Sequence, residues 1–571
     1  MRPRPLRLLA LLCAVGAGAA RAEPTGRLIA VTAAPQQYGR TDLVCLVRGA
    51  WNDPFDSGQI RVDLRLTAPS GRQLTLPCYF DSGSAATTGV WKARFTPTEA
   101  GEYAATLEVG APGQSADAAS LRFGVAPRPG RGFLHAGDAW SLRFDDGERF
   151  RGVGENIGWE SRTDDDSKYF HSLNQDPRFT YDYLLGRLHA CGGNFFRTWM
   201  CPWNLPLEWA AVTNRQRYSD DHRRFNRSAA ERLDELCGVA EATDTYFMLT
   251  LIPHVALLGD GWRRSAYNRA NGGPAASAGA FFTDPEAKRR FKDTLRYLVA
   301  RWGYSAHLGV WEFFNEVDNA MYGQKPWRIP DADVAAWHRE MAAYLRALDP
   351  YGRPITTSIS HREVAGLDDI PAIDFNQRHI YRNTGAIPGA IRSCEATFGK
   401  PCVVGEFAYE WDWSKDFDAF ADRMDGDFRH GLWLGLFSPT PILPMSWWWE
   451  YFDERGTVAS LAPVRALSDE MMKAGKAGLS EARVGWRGRP SCSALAVAAG
   501  TRIYVLVTNS AGAEAAGSVT GLPGPGERAV LVDAQSGERR ALPDVAGDGS
   551  VPVSLRAGSD TILVVGGEDA R

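Results

Sequence analysis

Two rhythms of apolar residues divide the chain. Over residues 23–127, apolar and polar positions alternate in short runs separated by turn residues, as in "RTDLVCLVRGAWNDPFD", "IRVDLRLTAPSG" and "GVWKARFTPTEAGEYAATLEV". A period of two is that of a strand with one buried face, so this segment is predicted to be a β-sandwich. "APRPGRG", 126–132, reads as a Pro/Gly linker.

Over 128–475 the apolar runs become nearly continuous, as in strands buried on both faces. They are "RFRGVG" (149–154), "NFFRTWM" (194–200), "TYFMLTLIPH" (245–254), "HLGVWEFFNE" (307–316), "PITTSIS" (354–360), "IDFNQRHIY" (373–381), "KPCVVGEF" (400–407) and "PILPMSWWW" (441–449). Between them lie stretches of 3.6-residue periodicity: "SAAERLDELCGVAEA", "DPEAKRRFKDTLRYLVARWG" and "DADVAAWHREMAAYLRAL". Eight strands, each followed by a helix, predict an α/β fold of the (β/α)8 TIM-barrel type. "PITTSIS" carries the weakest pattern of the eight. Over 476–571 the two-residue rhythm returns, with "TRIYVLVTNSAG", "ERAVLVDAQSGE" and "SDTILVVGG". A second, C-terminal β-sandwich is predicted there.

The ends and the cysteines refine this plan. "MRPRPLRLLALLCAVGAGAARAEPTG" has a basic start, an apolar run and a small-x-small site, which predicts a signal peptide over 1–22 and a secreted or periplasmic protein. Leu12 is too bulky before Cys13 for lipoprotein processing, and no later run is long and apolar enough to span a membrane. Cys45 with Cys78, and Cys394 with Cys402, are candidate disulfides; buried free thiols are the equal alternative. No CxxC pair or zinc-like Cys/His spacing occurs, so no metal site or cofactor is expected. "TDDDSK", 163–168, lacks the Gly and distal Glu of a calcium loop and reads as a solvated acidic turn. A net charge of −4 disfavours nucleic acid or an anionic membrane as partner, while 19 Trp supply flat apolar faces of the kind that sugar rings also present.

In such a barrel the chemistry lies at the C-terminal ends of the strands. "GVWEFF" emerges there as Asn315-Glu316, and "PCVVGEF" three strands later as Gly405-Glu406. Two carboxyls facing each other across a barrel mouth are what glycosidic bond cleavage needs: one protonates the leaving oxygen, the other attacks the anomeric carbon or activates water. Glu312, deeper in its strand, reads as a structural or auxiliary polar group. His379 and Tyr381 alternate onto one face of their strand, as two side chains aimed at one site must.

These motifs resemble those of the (β/α)8 retaining glycoside hydrolases of clan A, close to glycoside hydrolase family 5. The resemblance implies Glu316 as acid/base and Glu406 as nucleophile, with a carbohydrate as partner. It further implies that Asn315 binds a sugar hydroxyl, that Tyr381 of the His379-x-Tyr381 motif hydrogen-bonds the nucleophile, and that Arg197 keeps it ionised. His254 would close the third strand, and Trp448 or Trp449 would be the platform in the cleavage subsite. Gly101-Glu102-Tyr103 stands where an immunoglobulin-like sandwich has its tyrosine corner, and "WNDPFD" also resembles a sandwich often found ahead of such barrels. The usual Asn-Glu-Pro is Asn315-Glu316-Val317 here. Double displacement by this pair would require Glu316 to be protonated near neutrality. Arg197 also reads as a buried salt-bridge partner, and His379 and Tyr381 as core. Glu155, Asn156 and Trp159 line the sugar site or make an ordinary turn, and Trp199 and Trp203 are platforms or packing. The alternatives to hydrolysis are a non-hydrolytic carbohydrate-binding protein and a transglycosylase on the same scaffold.

Overall fold

The computed structural model describes residues 25–567 apart from 112–115, 164, 166, 222 and 325–327. The segment read as a signal peptide, and two of the three Asp of "TDDDSK", lie outside the described residues.

Parallel strands form the centre. Gly154–Asn156, Phe195–Trp199, Tyr246–Pro253, Leu308–Asn315 and Ile355–Thr356 pair in that order. Ser358–Ile359, Asn376–Tyr381 and Cys402–Ala408 make a second parallel run. The weak fifth strand is thus broken at Thr357, and its halves pair with different neighbours. The eighth predicted strand is not continuous. Only Ile442 and Ser446 bridge to neighbours, Ser446 to both Glu155 and Phe407. Pro441 and Pro444 lack the N–H that a ladder requires, and Trp449 already opens the helix Trp449–Glu454. The first strand also starts later than its pattern suggested. Arg149–Phe150 belongs instead to a small antiparallel sheet with Leu134–Asp138 and Ser141–Phe144. That sheet lies under the N-terminal ends of the parallel strands, where Leu142, Phe144 and Phe150 pack with Phe195, Tyr246, Val310, Phe375, Val403 and Ile442.

The three predicted helices form over Arg227–Ala242, Pro285–Trp302 and Asp331–Leu348. The second is capped as its sequence suggested. Asp284 accepts from the N–H groups of Glu286 and Ala287, with Pro285 in the first turn.

Two four-stranded antiparallel sheets lie over 25–125. Between them Trp51 meets Trp91 edge-on at 4.9 Å. Buried Tyr103 accepts a 3.1 Å hydrogen bond from the Glu99 N–H. Cys45 and Cys78 are free thiols 3.9 Å apart in this core. Cys394 and Cys402 are likewise buried and free. The sandwich is pressed against the helix Pro285–Trp302. Arg296 pairs with Asp63, Ser57 donates to Asp293, and Arg289 pairs with Asp56. Nearby, Arg94 holds Asp234, and Phe55 abuts Phe225 at 5.1 Å. Thr96 is held from both sides: its N–H donates to the Tyr351 hydroxyl at 2.8 Å and its hydroxyl to the Tyr304 carbonyl at 2.8 Å.

At the other end, a six-stranded and a three-stranded antiparallel sheet occupy 479–565. Tyr504, Leu506, Ile562 and Val564 are continuous with the central core. Among the described residues no helix is long and apolar enough to cross a membrane.

Candidate active site

Each parallel strand delivers a polar side chain at its end. Arg197, on the second strand, is fully buried and directs five hydrogen bonds from its guanidinium. Nε and Nη2 bind Glu312 at 2.6 and 2.9 Å, Nη1 reaches Asn156 at 3.1 Å and Glu406 at 2.7 Å, and Nη2 reaches Asn315 at 2.7 Å. Every N–H of a planar five-donor group is thereby used. Glu312, buried beneath the site, takes further bonds from Thr250 and Gln377 at 2.5 Å each. It is the counter-charge that lets Arg197 stay buried and charged.

Glu406 ends the seventh strand. Arg197 donates to its Oε1, and the Tyr381 hydroxyl donates to Oε2 at 2.6 Å. Burial, followed by the negative charges of Glu406 and Glu316, holds the Tyr381 phenol well above its ordinary range, so it stays a donor. Glu316 ends the fourth strand in the left-handed region, at φ 50°. This is a costly conformation for a side-chain-bearing residue. It turns the chain directly into the short helix Val317–Tyr322 and is braced by the Glu316 N–H, which donates to Ser358 Oγ at 2.9 Å. Glu316 Oε1 lies 2.9 Å from His379 Nδ1, and Oε2 accepts from Asn319 at 2.8 Å. An oxygen of Glu316, an oxygen of Glu406 and a nitrogen of His379 lie within 4.8 Å of one another. The spacing would admit a cation, but each carboxylate oxygen is already engaged by a protein donor.

Glu316 differs from expectation in its proton. Burial alone would raise its pKa. The hydrogen bond and charge of His379, the charge of His254 and the Asn319 amide outweigh it and bring the value down to about 2. These contacts favour the carboxylate form of Glu316 in the free protein.

The cleft above the pair encloses about 960 Å³. Of the residues expected to line it, His254, His379, Tyr381, Trp199, Trp448 and Trp449 do, as do Glu316 and Glu406. Trp448 is half-buried at φ 72°, stacks on Phe170 and donates to the Glu410 carbonyl at 2.7 Å. Trp449 packs edge-on against Trp159 and Trp447. Asn315 is fully buried, its carbonyl held by Arg197 and its Nδ2 2.9 Å from His254 Nδ1. Asn156 and Glu155 do not line the cleft. Asn156 points inward and ties the Gly405, Met445 and Ser446 carbonyls together. Glu155, one residue earlier, faces the opposite side of the strand, as the two-residue period demands. There the charges of Asp453 and Glu450 act on it. Residues that the sequence left unmarked also belong to the cleft: Asn319, Arg162, Trp411, Trp413, Trp447 and Glu450. Asn319 was within reach of inspection, three residues after Glu316 on one helical turn. The others sit on loops whose course no periodicity announces.

Comparison with known proteins fits this geometry. The chain is distantly similar to glycoside hydrolases. A protein from Bacteroides vulgatus ATCC 8482, provisionally assigned as a glycoside hydrolase, superposes with a TM-score of 0.63 at 13% identity, over 93% of this chain and 99% of that one. A second structure, described as a glycoside hydrolase, gives 0.51 at 14% identity, over 77% of this chain and 98% of its own. In sequence, 209 residues are 25% identical to the mannan endo-1,4-beta-mannosidase A of Podospora anserina, 32% of this chain and 52% of that protein. The chain thus spans about half the length of that curated relative. Residues 34–109 match a domain of unknown function, DUF5060.

Proposed function

We propose that this chain is a secreted glycoside hydrolase that cleaves a β-linked poly- or oligosaccharide by double displacement, without a cofactor. The observation that carries the reading is the Glu316–Glu406 pair, two carboxyls from facing strand ends with oxygens within 4.8 Å. Close approach of the two carboxyls supports the retaining reading, in which the groups stand about 5–5.5 Å apart. We read the parallel strands as a (β/α)8 barrel over 128–475, closed through Ser446, and the sheets over 23–127 and 476–571 as flanking sandwiches.

In the first step an oxygen of Glu406 bonds to the anomeric carbon and the glycosidic C–O bond breaks. Glu316 first takes up a proton across its 2.9 Å contact with His379 Nδ1 and passes it to the leaving oxygen. The pair Glu316–His379 thus acts as one acid sharing one proton. In the second step water attacks the anomeric carbon, Glu316 accepts its proton, and the ester to Glu406 breaks. Arg197 and Tyr381 orient Glu406 in both steps, and Asn315, through Arg197 and His254, fixes the floor of the site.

The configuration of azide products tests the assignment. With an activated aryl glycoside, Glu316→Ala should accumulate glycosyl-enzyme, and azide should restore turnover as a glycosyl azide of retained configuration. Glu406→Ala should give the inverted azide. Reversed products would exchange the two roles, and inverted product from the unaltered protein would remove double displacement altogether.

A further inference from the structure

The face opposite the candidate pair holds a second cavity. It encloses about 460 Å³, within the range of about 300–1,000 Å³ found for small-molecule sites. It opens where the small antiparallel sheet, the N-terminal ends of the second and third parallel strands and the helix Leu461–Ala474 meet. Its charges are unbalanced. Arg131 is matched by Asp244 and Arg465 by Asp469, which leaves Arg143, Arg149, Arg151, Lys473 and Lys476. Against these stand exposed Glu148 and Asp138, which reaches Arg143 at 3.6 Å and Arg149 at 3.2 Å. Five cations against two carboxylates is an excess of three, on a chain whose net charge is −4.

The imbalance is greatest in the cavity wall itself. Arg151 is 4% exposed, and its hydrogen bonds go to the carbonyls of Gly435, Leu436, Ser438 and Thr440. Among the described residues no carboxylate pairs with it. Burial, and then the charge of Arg149 beside it, pull its guanidinium down to about 9. Arg149 is held equally firmly: Nε donates to Ser141 Oγ at 3.0 Å and Nη1 to the Gly475 carbonyl at 2.9 Å. Two like charges are thus fixed near each other at depth, a repulsion that a nearby anion would offset. Lys473 and Lys476, both exposed, line the same cavity with no ion pair among the described residues. A concave surface of one sign focuses the field and concentrates counter-ions.

We infer that this cavity binds a phosphate group, free or as the monoester of a sugar, with Lys473, Lys476 and Arg143 meeting the oxyanion and Arg149 and Arg151 supplying fixed positive charge behind them. The charge count selects the ligand. An excess of three cations suits a group that carries about −1.5 to −2 near neutrality, as a phosphate monoester does, over a carboxylate or a phosphodiester with a single charge. The site is independent of the hydrolase reading, since none of its residues borders the cleft above Glu316 and Glu406.

The test is isothermal titration of the full chain with inorganic phosphate and with glucose 6-phosphate, at constant ionic strength in chloride. Saturable binding of a single equivalent is expected, with acetate weaker by about tenfold or more. Reversing two charges, Lys473→Glu together with Lys476→Glu, should weaken phosphate binding by about tenfold or more. Lys473→Arg with Lys476→Arg should bind as the unaltered protein does. Both lysines are exposed, so the charge reversal should leave Tm in chloride and the hydrolysis of an aryl glycoside unchanged. Tighter binding of glucose 6-phosphate than of inorganic phosphate would mark a phosphorylated sugar as the ligand, and equal or weaker binding would mark free phosphate. Failure of either phosphate compound to saturate, acetate binding as tight as phosphate, or phosphate binding unmoved by the charge reversal would overturn the site.

Discussion

Glu316 and Glu406, delivered by the fourth and seventh parallel strands, and Glu155 and Glu450, on the first strand and the helix Trp449–Glu454, are all buried and are treated in opposite ways. Glu316 and Glu406 have donors on every carboxylate oxygen: His379 and Asn319 for one, Arg197 and Tyr381 for the other. Glu155 and Glu450 each keep an oxygen with no partner. Burial is nearly equal, all four being less than a tenth exposed. The partners, and not the depth, decide which carboxyl carries charge. Glu316 falls to about 2, Glu450 rises to about 8, and Glu155 is raised well above the usual carboxylate range by burial and then by Asp453 and Glu450.

The comparison breaks first in turnover. Glu406→Gln and Glu316→Gln should each lower kcat by about 10³-fold or more on a polysaccharide substrate, with circular dichroism unchanged. Near-normal turnover in either would return that residue to the status of Glu155. The next effect is on stability. Arg197→Met leaves Glu312 and Glu406 buried without their shared cation. It should cost about 3–5 kcal/mol in urea unfolding; a cost below about 1 kcal/mol would mean that Glu312 is satisfied by Thr250 and Gln377 alone.

The third test is pH. For Glu316 the folded value lies below the ordinary 4.5, so its ionised form adds stability above pH 4.5, which is lost as pH falls through about 2. For Glu450 the folded value lies above, so its contribution is complete below pH 4.5 and is lost as pH rises through about 8. The unfolding free-energy advantage of Glu450→Gln over the unaltered protein, read by urea unfolding, should therefore grow between pH 4.5 and 8, at a slope approaching about 1.4 kcal/mol per pH unit. A pH-independent difference would show that Glu450 has found a partner. The smallest effect belongs to the rim. Trp411 and Trp413 are 55% and 58% exposed and border the same cleft. Replacing either by Ala should raise KM for a soluble polysaccharide several-fold more than for an aryl glycoside, about 1 kcal/mol each.

How much of this the sequence shows depends on periodicity. Asn315-Glu316 and Gly405-Glu406 were legible because an apolar run must end where its strand leaves the core. His379 and Tyr381 were legible because a two-residue period puts both on one face. The same rule, applied one step further, would have turned Glu155 away from Asn156. The split fifth strand and the discontinuous eighth were less legible: the fifth breaks at Thr357 with no local signal, and in the eighth Pro441 and Pro444 interrupt the bonds that its other residues make to both neighbours. Glu450 was hidden for a different reason: nothing in "WWWEYF" tells which acid lacks a partner, since that depends on what the rest of the chain packs around it. The ionisation of Glu316 was hidden likewise, because His254 follows the third strand and His379 lies on the sixth.

The docking of the N-terminal sandwich has a consequence for how such a chain can be recombined. Its contact with the helix Pro285–Trp302 and its surroundings is made of specific, mutually matched pairs: Asp63 with Arg296, Ser57 with Asp293, Asp56 with Arg289, Arg94 with Asp234. Half of each pair is encoded some 140–240 residues from the other half. A unit joined by a loose tether could be exchanged between proteins as a cassette. This one could not, because grafting it onto a foreign core would bury guanidinium and carboxylate groups opposite nothing. The two regions are therefore obliged to change together, one partner answering a substitution in the other.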